Sequence, residues 1–286
     1  MYIITQLILA PIRNLIAHIL KLRKFNAIER LGADPLGSAA GRPREFFLQL
    51  AQEAARASFP EIDNVEKTYG ESIDKCWLDE VAFHTQVVVK DAELNYQHGR
   101  LLYSVFSYYL KNRGSSNDCV YVFETGTARG FSAVCMSKAL RDKNVQGVIT
   151  TVDILPHDVP MFWNCVDDLD GRKSRREILN PWKEYLSSVI FVQQETLSAV
   201  SSLAFPRINF AFLDASHTFE DVLAEFSFVQ KHQKKGDMIV FDDVTPAHFP
   251  GVVSAVEEIS RQANYKVDLI EAGQDRGYAI ATRLME

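Results

Sequence analysis

The sequence predicts an α/β protein: a mostly parallel sheet with helices on both faces. Three observations predict it. From position 119 onward, short apolar runs rich in β-branched and aromatic residues alternate with segments of helical spacing. Four of those runs end in an acidic residue, and the first passes through a glycine-bearing turn into a helical pattern. Alternation of this kind builds parallel sheets, since each return to the same edge needs a crossover that a helix fills.

The elements follow in order. Met1 to Ala10 is strongly apolar, with no basic segment before it and no small-residue cleavage site after it, so it is expected to stay in the mature chain. From Pro11, residues Ile12, Leu15, Ile16, Ile19 and Leu22 recur at helical spacing, opposite Arg13, Asn14, His18, Lys21 and Lys24, and Gly32 is a natural stop. Such a helix docks on its own domain or on a second subunit; its basic face also suits peripheral contact of residues 1–31 with an anionic membrane. Gly32 to Pro43 reads as a loop, and Glu45 to Ser58 as a helix ended by Pro60. Helices are expected over Ile73 to Ala82 and Ala92 to Lys111, then turn chemistry over Asn112 to Asp118.

Strands follow at Cys119–Glu124, Gly147–Asp153, Val189–Gln193, Ile208–Asp214, Asp237–Phe241, Tyr265–Ile270 and Gly277–Thr282. Helical patterns occupy Phe131 to Leu140, Thr218 to His232 and Gly251 to Ala263.

Composition narrows the function. The chain has 286 residues, 47% hydrophobic and 24% charged, with a net charge of −6, which suits one large globular domain or two small ones. That acidic balance lacks the positive field that supplies most affinity for phosphate backbones, so no nucleic-acid partner is expected. Cys76, Cys119, Cys135 and Cys165 form no CxxC pair and read as reduced, mostly buried thiols. No uncharged apolar run reaches 18 residues. A cytoplasmic protein is the expectation.

In parallel sheets, ligands sit beyond the carboxyl ends of the strands. Glu124, Asp153, Asp214 and Asp242 stand at those predicted ends. Glu124-Thr-Gly-Thr-Ala-Arg-Gly130 is a strand-to-helix turn whose Gly126 and Gly130 permit close backbone approach by a ligand or serve a structural tight turn. Its GxxxG spacing departs from the GxGxxG dinucleotide fingerprint, which argues against a nicotinamide-dependent oxidoreductase. Asp153 is placed to accept ribose hydroxyls, or else to cap a helix. Adjacent strands would bring Asp214, Asp242 and Asp243 together, and a divalent cation is the simplest remedy for carboxylates that resist joint ionisation. Oxygen ligation favours Mg²⁺, Ca²⁺ or Mn²⁺. His217, three residues after Asp214, is placed to take a proton from a substrate hydroxyl, against the plainer reading of a packed or surface histidine.

The ordered set of Tyr96-Gln-His-Gly-Arg-Leu-Leu102, the ExGxxxG turn, the acid ending strand two, Asp214-Ala-Ser-His217 and Asp242-Asp243 resembles class I S-adenosylmethionine-dependent methyltransferases. In particular it is similar to the metal-dependent O-methyltransferases that act on catechols and macrolide sugars. The resemblance covers about the C-terminal two thirds. It implies a Rossmann-like seven-stranded doubly wound sheet of order 3-2-1-4-5-7-6 with the last strand antiparallel. Residues 93–286 would be the cofactor-binding domain, and residues 1–92 a helical extension.

The resemblance assigns Glu124, Gly126, Thr127, Gly130, Ser132, Asp153 and Asp214 to S-adenosylmethionine. It assigns Asp214, Asp242 and Asp243 to Mg²⁺, and His217 to the general base; catechol enzymes carry a lysine at that last position. An aspartate at 243, where the family often has asparagine, adds a negative charge. The implied acceptor is a hydroxyl of a small molecule or sugar, and a homo-oligomer is expected. The rival reading is a noncatalytic regulatory or assembly protein of the same fold.

Leu155 to Leu186 is long for a connection between strands. It carries Met161, Phe162, Trp163, Trp182 and the run Arg172, Lys173, Arg175 and Arg176, which reads as a lid or anion-recognising surface, or as a solvated charged helix. His248 and Tyr278 are further candidates for the cleft.

Overall fold

The structure is a computed structural model that describes residues 34–90, 94–114, 118–272 and 276–285. The predicted amphipathic helix after Pro11 lies outside the described residues.

Among the described residues, four helices precede the sheet: α1 (Arg44–Arg56), α2 (Pro60–Tyr69), α3 (Lys75–Thr85) and α4 (His98–Asn112). Pro60, expected only to end a helix, also opens α2, because proline's fixed φ and missing N–H suit the first helical turn. Gly70 closes α2 in the left-handed conformation (φ 68°). Asp74 caps α3 by accepting the Trp77 N–H. The helix expected from Ala92 begins at His98 instead.

The sheet then builds as β1 (Val120–Thr125), α5 (Phe131–Asp142), β2 (Gly147–Asp153), the one-turn α6 (Arg175–Ile178), β3 (Val189–Gln193) and α7 (Thr196–Ser202). There follow β4 (Phe210–Leu213), α8 (Phe219–Lys231), β5 (Met238–Phe241), α9 (Pro250–Ser260), β6 (Tyr265–Glu271) and β7 (Gly277–Arg283). All seven expected strands form, within two residues of their predicted limits. Helix α7 was not expected: its serine-rich seven residues show little apolar periodicity, and the Glu195 side chain caps it by accepting the Ser198 N–H.

The strand order is β3-β2-β1-β4-β5-β7-β6, with β7 antiparallel to both neighbours, as the resemblance implies. Alternate side chains divide the core. Val120, Val122, Phe210, Phe212, Met238, Val240 and Ile280 face the layer containing α4 and α5. Phe123, Ala211, Leu213, Ile239, Phe241 and Ala279 face the layer of α8 and α9. Ile62 and Val65 of α2 and Leu78 and Val81 of α3 belong to the first of these clusters, so the preceding helices share one apolar core with the sheet.

Register fixes the site. Glu124 pairs with Thr151 of β2 and Phe212 of β4, and Leu213 pairs with Phe241 of β5. The residues after β1, β2, β4 and β5 therefore emerge along one edge. Because β7 runs against β5, with Phe241 opposite Ala279, the residues just before β7 reach that same edge.

Candidate active site

Glu124 ends inside the molecule. Both its carboxylate oxygens are buried without a hydrogen-bond partner. Burial pushes its pKa up to about 7; the nearby Ser132 and Thr151 hydroxyls temper the rise. A buried, unpaired acid costs stability unless something pairs with it, and such groups mark functional positions.

Gly126 and Gly130 both take positive φ, 85° and 90°. A Cβ on Gly126 would stand 2.0 Å from the Asp214 carbonyl oxygen, and one on Gly130 would meet the Leu179 side chain at 2.7 Å. Each glycine is therefore required by the protein's own packing, the first by strand-end backbone and the second by the connection after β2. Of the two uses weighed from the sequence, the structural one is visible directly. Thr127 sits in the same turn, with its hydroxyl 2.5 Å from that of Thr151. Ser132 is buried in the first turn of α5.

Asp153 leaves β2 with one oxygen accepting the Ala128 N–H at 2.6 Å and the other the Leu155 N–H at 2.7 Å. Burial raises its pKa against the pull of the Arg175 guanidinium 3.7 Å away. It thus ties the β1 turn to the connection that follows it.

Part of that connection is packed inward, while Arg172 and Arg176 stay exposed. Arg172 pairs with Asp34, Lys173 with Asp167 and Asp170, and Arg176 with Asp158. Arg175 is almost fully buried, donates to the Ala128 carbonyl at 2.7 Å and lies over the Trp163 ring. Trp163 and Met161 form a small apolar core of their own with Leu155, Cys165 and Ile178. The basic run spends its charge on the chain itself and caps the region beyond β1 and β2.

The second half of the site lies beyond β4 and β5. Ligand atoms of Asp214, His217 and Asp243 stand within 4.8 Å of one another. His217 Nε2 is 2.8 Å from Asp243 Oδ2, and its ring stacks on Phe249 at 4.1 Å. Asp243 takes the left-handed conformation (φ 57°), uncommon for a non-glycine residue.

Asp242, which the resemblance also assigns to the cation, is not one of that group of three. One of its oxygens accepts the Asp243 N–H at 2.7 Å and faces the Arg276 guanidinium at 3.3 Å. Arg276 also donates to Asp243 at 2.7 Å. Sequence reasoning missed this arginine. The signal was the antiparallel last strand, whose start must lie opposite the end of β5.

The charges explain the titration. Surrounding protein, then Asp242 and Asp243, push the Asp214 carboxyl well above the carboxylate range. Burial raises Asp242 to about 6 against the pull of Arg276. For Asp243, burial acts upward, but the hydrogen bond with His217 and the Arg276 charge outweigh it and hold the group low. The cation expected between carboxylates is in part supplied by Arg276.

Two more polar groups line the same region. His98 is buried with Nδ1 unpartnered, stacked near Phe212, and burial drives its pKa down to about 3. Tyr278 is fully buried with an unpartnered hydroxyl, and burial followed by the Asp242 charge raises its pKa well above the ordinary value.

The comparisons bear on the fold. Residues 123–244, less than half of the chain, match the family described as a methyltransferase domain. Solved structures share the fold. Cofactor-bound Rv0187 from MTB is 18% identical, with 74% of this chain and 92% of that one covered, at a TM-score of 0.54. The O-methyltransferase TomG from Streptomyces achromogenes, in complex with SAM, is 17% identical over 74% and 92%, at 0.52. SAH-bound Podospora anserina methyltransferase PaMTH1 is 13% identical over 87% and 99%, at 0.52. No curated protein sequence matches the chain. The chain shares its fold with these solved methyltransferases, and residues 123–244 are similar to the methyltransferase-domain family.

Proposed function

We infer that the protein transfers a methyl group from S-adenosylmethionine to a hydroxyl of a small molecule or sugar. The observation that carries this reading is the pairing of two neighbouring half-sites on one sheet edge. One is the buried, unpaired Glu124 beside Asp153, and the other is the His217–Asp243 pair. The first suits a ligand that brings its own hydrogen-bond donors, as the amino and ribose groups of S-adenosylmethionine do. When bound, that cofactor supplies an electrophilic methyl carbon on a sulfonium leaving group.

The chain's own residues do the rest. Glu124 and Asp153 anchor the donor, and the capped region beyond β2 keeps water from it. His217, oriented by Asp243 and held flat by Phe249, accepts the acceptor's hydroxyl proton at one of its ring nitrogens. Holding donor and acceptor in line is worth about 7–11 kcal/mol in well-oriented systems. Proton removal by a positioned base contributes roughly 10²–10⁴ in rate.

Asp214, His217 and Asp243 would also hold a divalent cation, which would add positive charge near the acceptor oxygen. With an imidazole among the donors, such a set suits Mn²⁺ or Zn²⁺ better than the Mg²⁺ expected from an all-aspartate group. A cation there and His217 as base are competing uses of one ring.

The test is methyl transfer from radiolabelled S-adenosylmethionine to a panel of phenolic and sugar hydroxyls. His217→Ala should lower kcat by about 10²–10⁴ and leave the affinity for S-adenosylhomocysteine unchanged. A chelator separates the two uses of His217: loss of turnover favours the cation, and full turnover favours the base. Absence of transfer to every hydroxyl, despite tight S-adenosylhomocysteine binding, would support the noncatalytic reading instead.

A further inference from the structure

A sizeable cavity among the described residues lies away from this edge. It encloses about 970 Å³ between α2, α4 and the sheet face over β5, β6 and β7, and it reaches Tyr121 and Asn209, beside the amino ends of β1 and β4. That is the opposite end of the strands from Glu124 and Asp214. A volume of this size is within the range of small-molecule sites.

Its floor is closed and satisfied. Arg207 grips Asp237 through two hydrogen bonds, at 2.9 and 2.7 Å. Tyr109 donates to Asp237 and accepts from Asn209, whose side-chain oxygen in turn accepts the Tyr121 N–H. Because these groups are mutually paired, the floor is rigid and leaves no stranded polar atom for a ligand to satisfy.

The walls differ. Five cationic side chains and two acidic ones line the cavity, on a chain whose net charge is −6. Lys266 pairs with Asp268 at 2.8 Å. Lys234 and Lys235 are exposed, and among the described residues neither ammonium has a carboxylate partner. The same cavity is lined by Tyr69 and Tyr108, which meet edge to face with ring centres 5.0 Å apart. Ammoniums without a carboxylate partner and aromatic rings lining one cavity favour a ligand that carries both an anionic group and a flat apolar one. The chain's own amphipathic segment, with Arg13, Lys21, Arg23 and Lys24, has the wrong charge.

We propose that this cavity binds a small aromatic anion, a ring bearing a phosphate, sulfate or carboxylate, through Lys234, Lys235 and the Tyr69–Tyr108 pair. This goes beyond the methyl-transfer reading and stands whether or not that reading holds.

The test is a fluorescence titration with 4-methylumbelliferyl phosphate, with the cofactor site first saturated with S-adenosylhomocysteine. Saturable binding is expected, weakened at least tenfold in Lys234→Glu/Lys235→Glu and several-fold in Tyr108→Ala, and unchanged in His217→Ala. Neutral 4-methylumbelliferone and inorganic phosphate should each bind more weakly than the combined probe. All substituted side chains are exposed or half-exposed, and thermal melting verifies that each variant is folded. No saturable binding, or equal affinity in the double lysine variant and the parent, overturns the proposal. Loss of binding in His217→Ala would place the probe in the active site and overturn it as well.

Discussion

Glu124 is the residue on which electrostatics and function meet most directly. Its folded-state pKa of about 7 stands above the ordinary 4.5, so the folded protein holds this proton more tightly than the unfolded chain does. The stability from that difference is complete below pH 4.5 and lost as pH rises through 7. Buried Glu225, pushed up to about 8 and hydrogen-bonded to Thr125, acts in the same direction. The melting temperature should therefore fall between pH 5 and 8, and Glu124→Gln should flatten the part below pH 7. An unchanged slope in that variant would show that Glu124 is already ionised in the folded protein. The acidic strand ends and His217 were legible in the sequence because strand-end position is a property of spacing. Arg276 was not, because its role depends on which strand runs backwards. Nor was the contact of Asp242 with Arg276, for the same reason.

At the scale of elements, the β1 turn and the connection after β2 form one unit. Ala128 gives its N–H to Asp153 and its carbonyl to Arg175, while Gly126 lies against the Asp214 backbone. Gly126→Ala must strain a positive φ and displace backbone 2.0 Å from its Cβ. It should cost at least about 2 kcal/mol of stability, read from denaturant unfolding. A cost under about 0.5 kcal/mol would mean that the turn relaxes freely. Arg175→Ala removes the buried guanidinium that faces both Asp153 and the turn, and should weaken S-adenosylhomocysteine binding about tenfold or more by loosening the cap. Equal affinity would separate the cap from the cofactor site. Strands read clearly from sequence because each alternates between two apolar faces. The connection after β2 did not: the burial of Arg175 and the pairing of Arg172, Lys173 and Arg176 with Asp34, Asp158, Asp167 and Asp170 depend on carboxylates distant in sequence or spacing.

For the whole molecule, the helices before the sheet and the sheet itself share one apolar core, with Ile62 and Leu78 in the same cluster as Val122 and Phe212. Heat should unfold residues 44–85 and the sheet in a single transition. A fragment of residues 93–286, the cofactor-binding domain expected from sequence alone, should expose that core face and melt without a cooperative transition. Two separate transitions in the full chain, or a well-folded fragment, would support the boundary at 92/93 and contradict the shared core. No helix among the described residues is long and apolar enough to cross a membrane. Methyl transfer as proposed requires a donor-binding cleft at the carboxyl edge of the sheet, and calorimetric titration of S-adenosylhomocysteine into the parent chain, Glu124→Gln and Asp153→Asn tests it most directly. Saturable one-to-one binding that weakens at least tenfold in both variants is the predicted result; no heat of binding, or affinity indifferent to both substitutions, would contradict it.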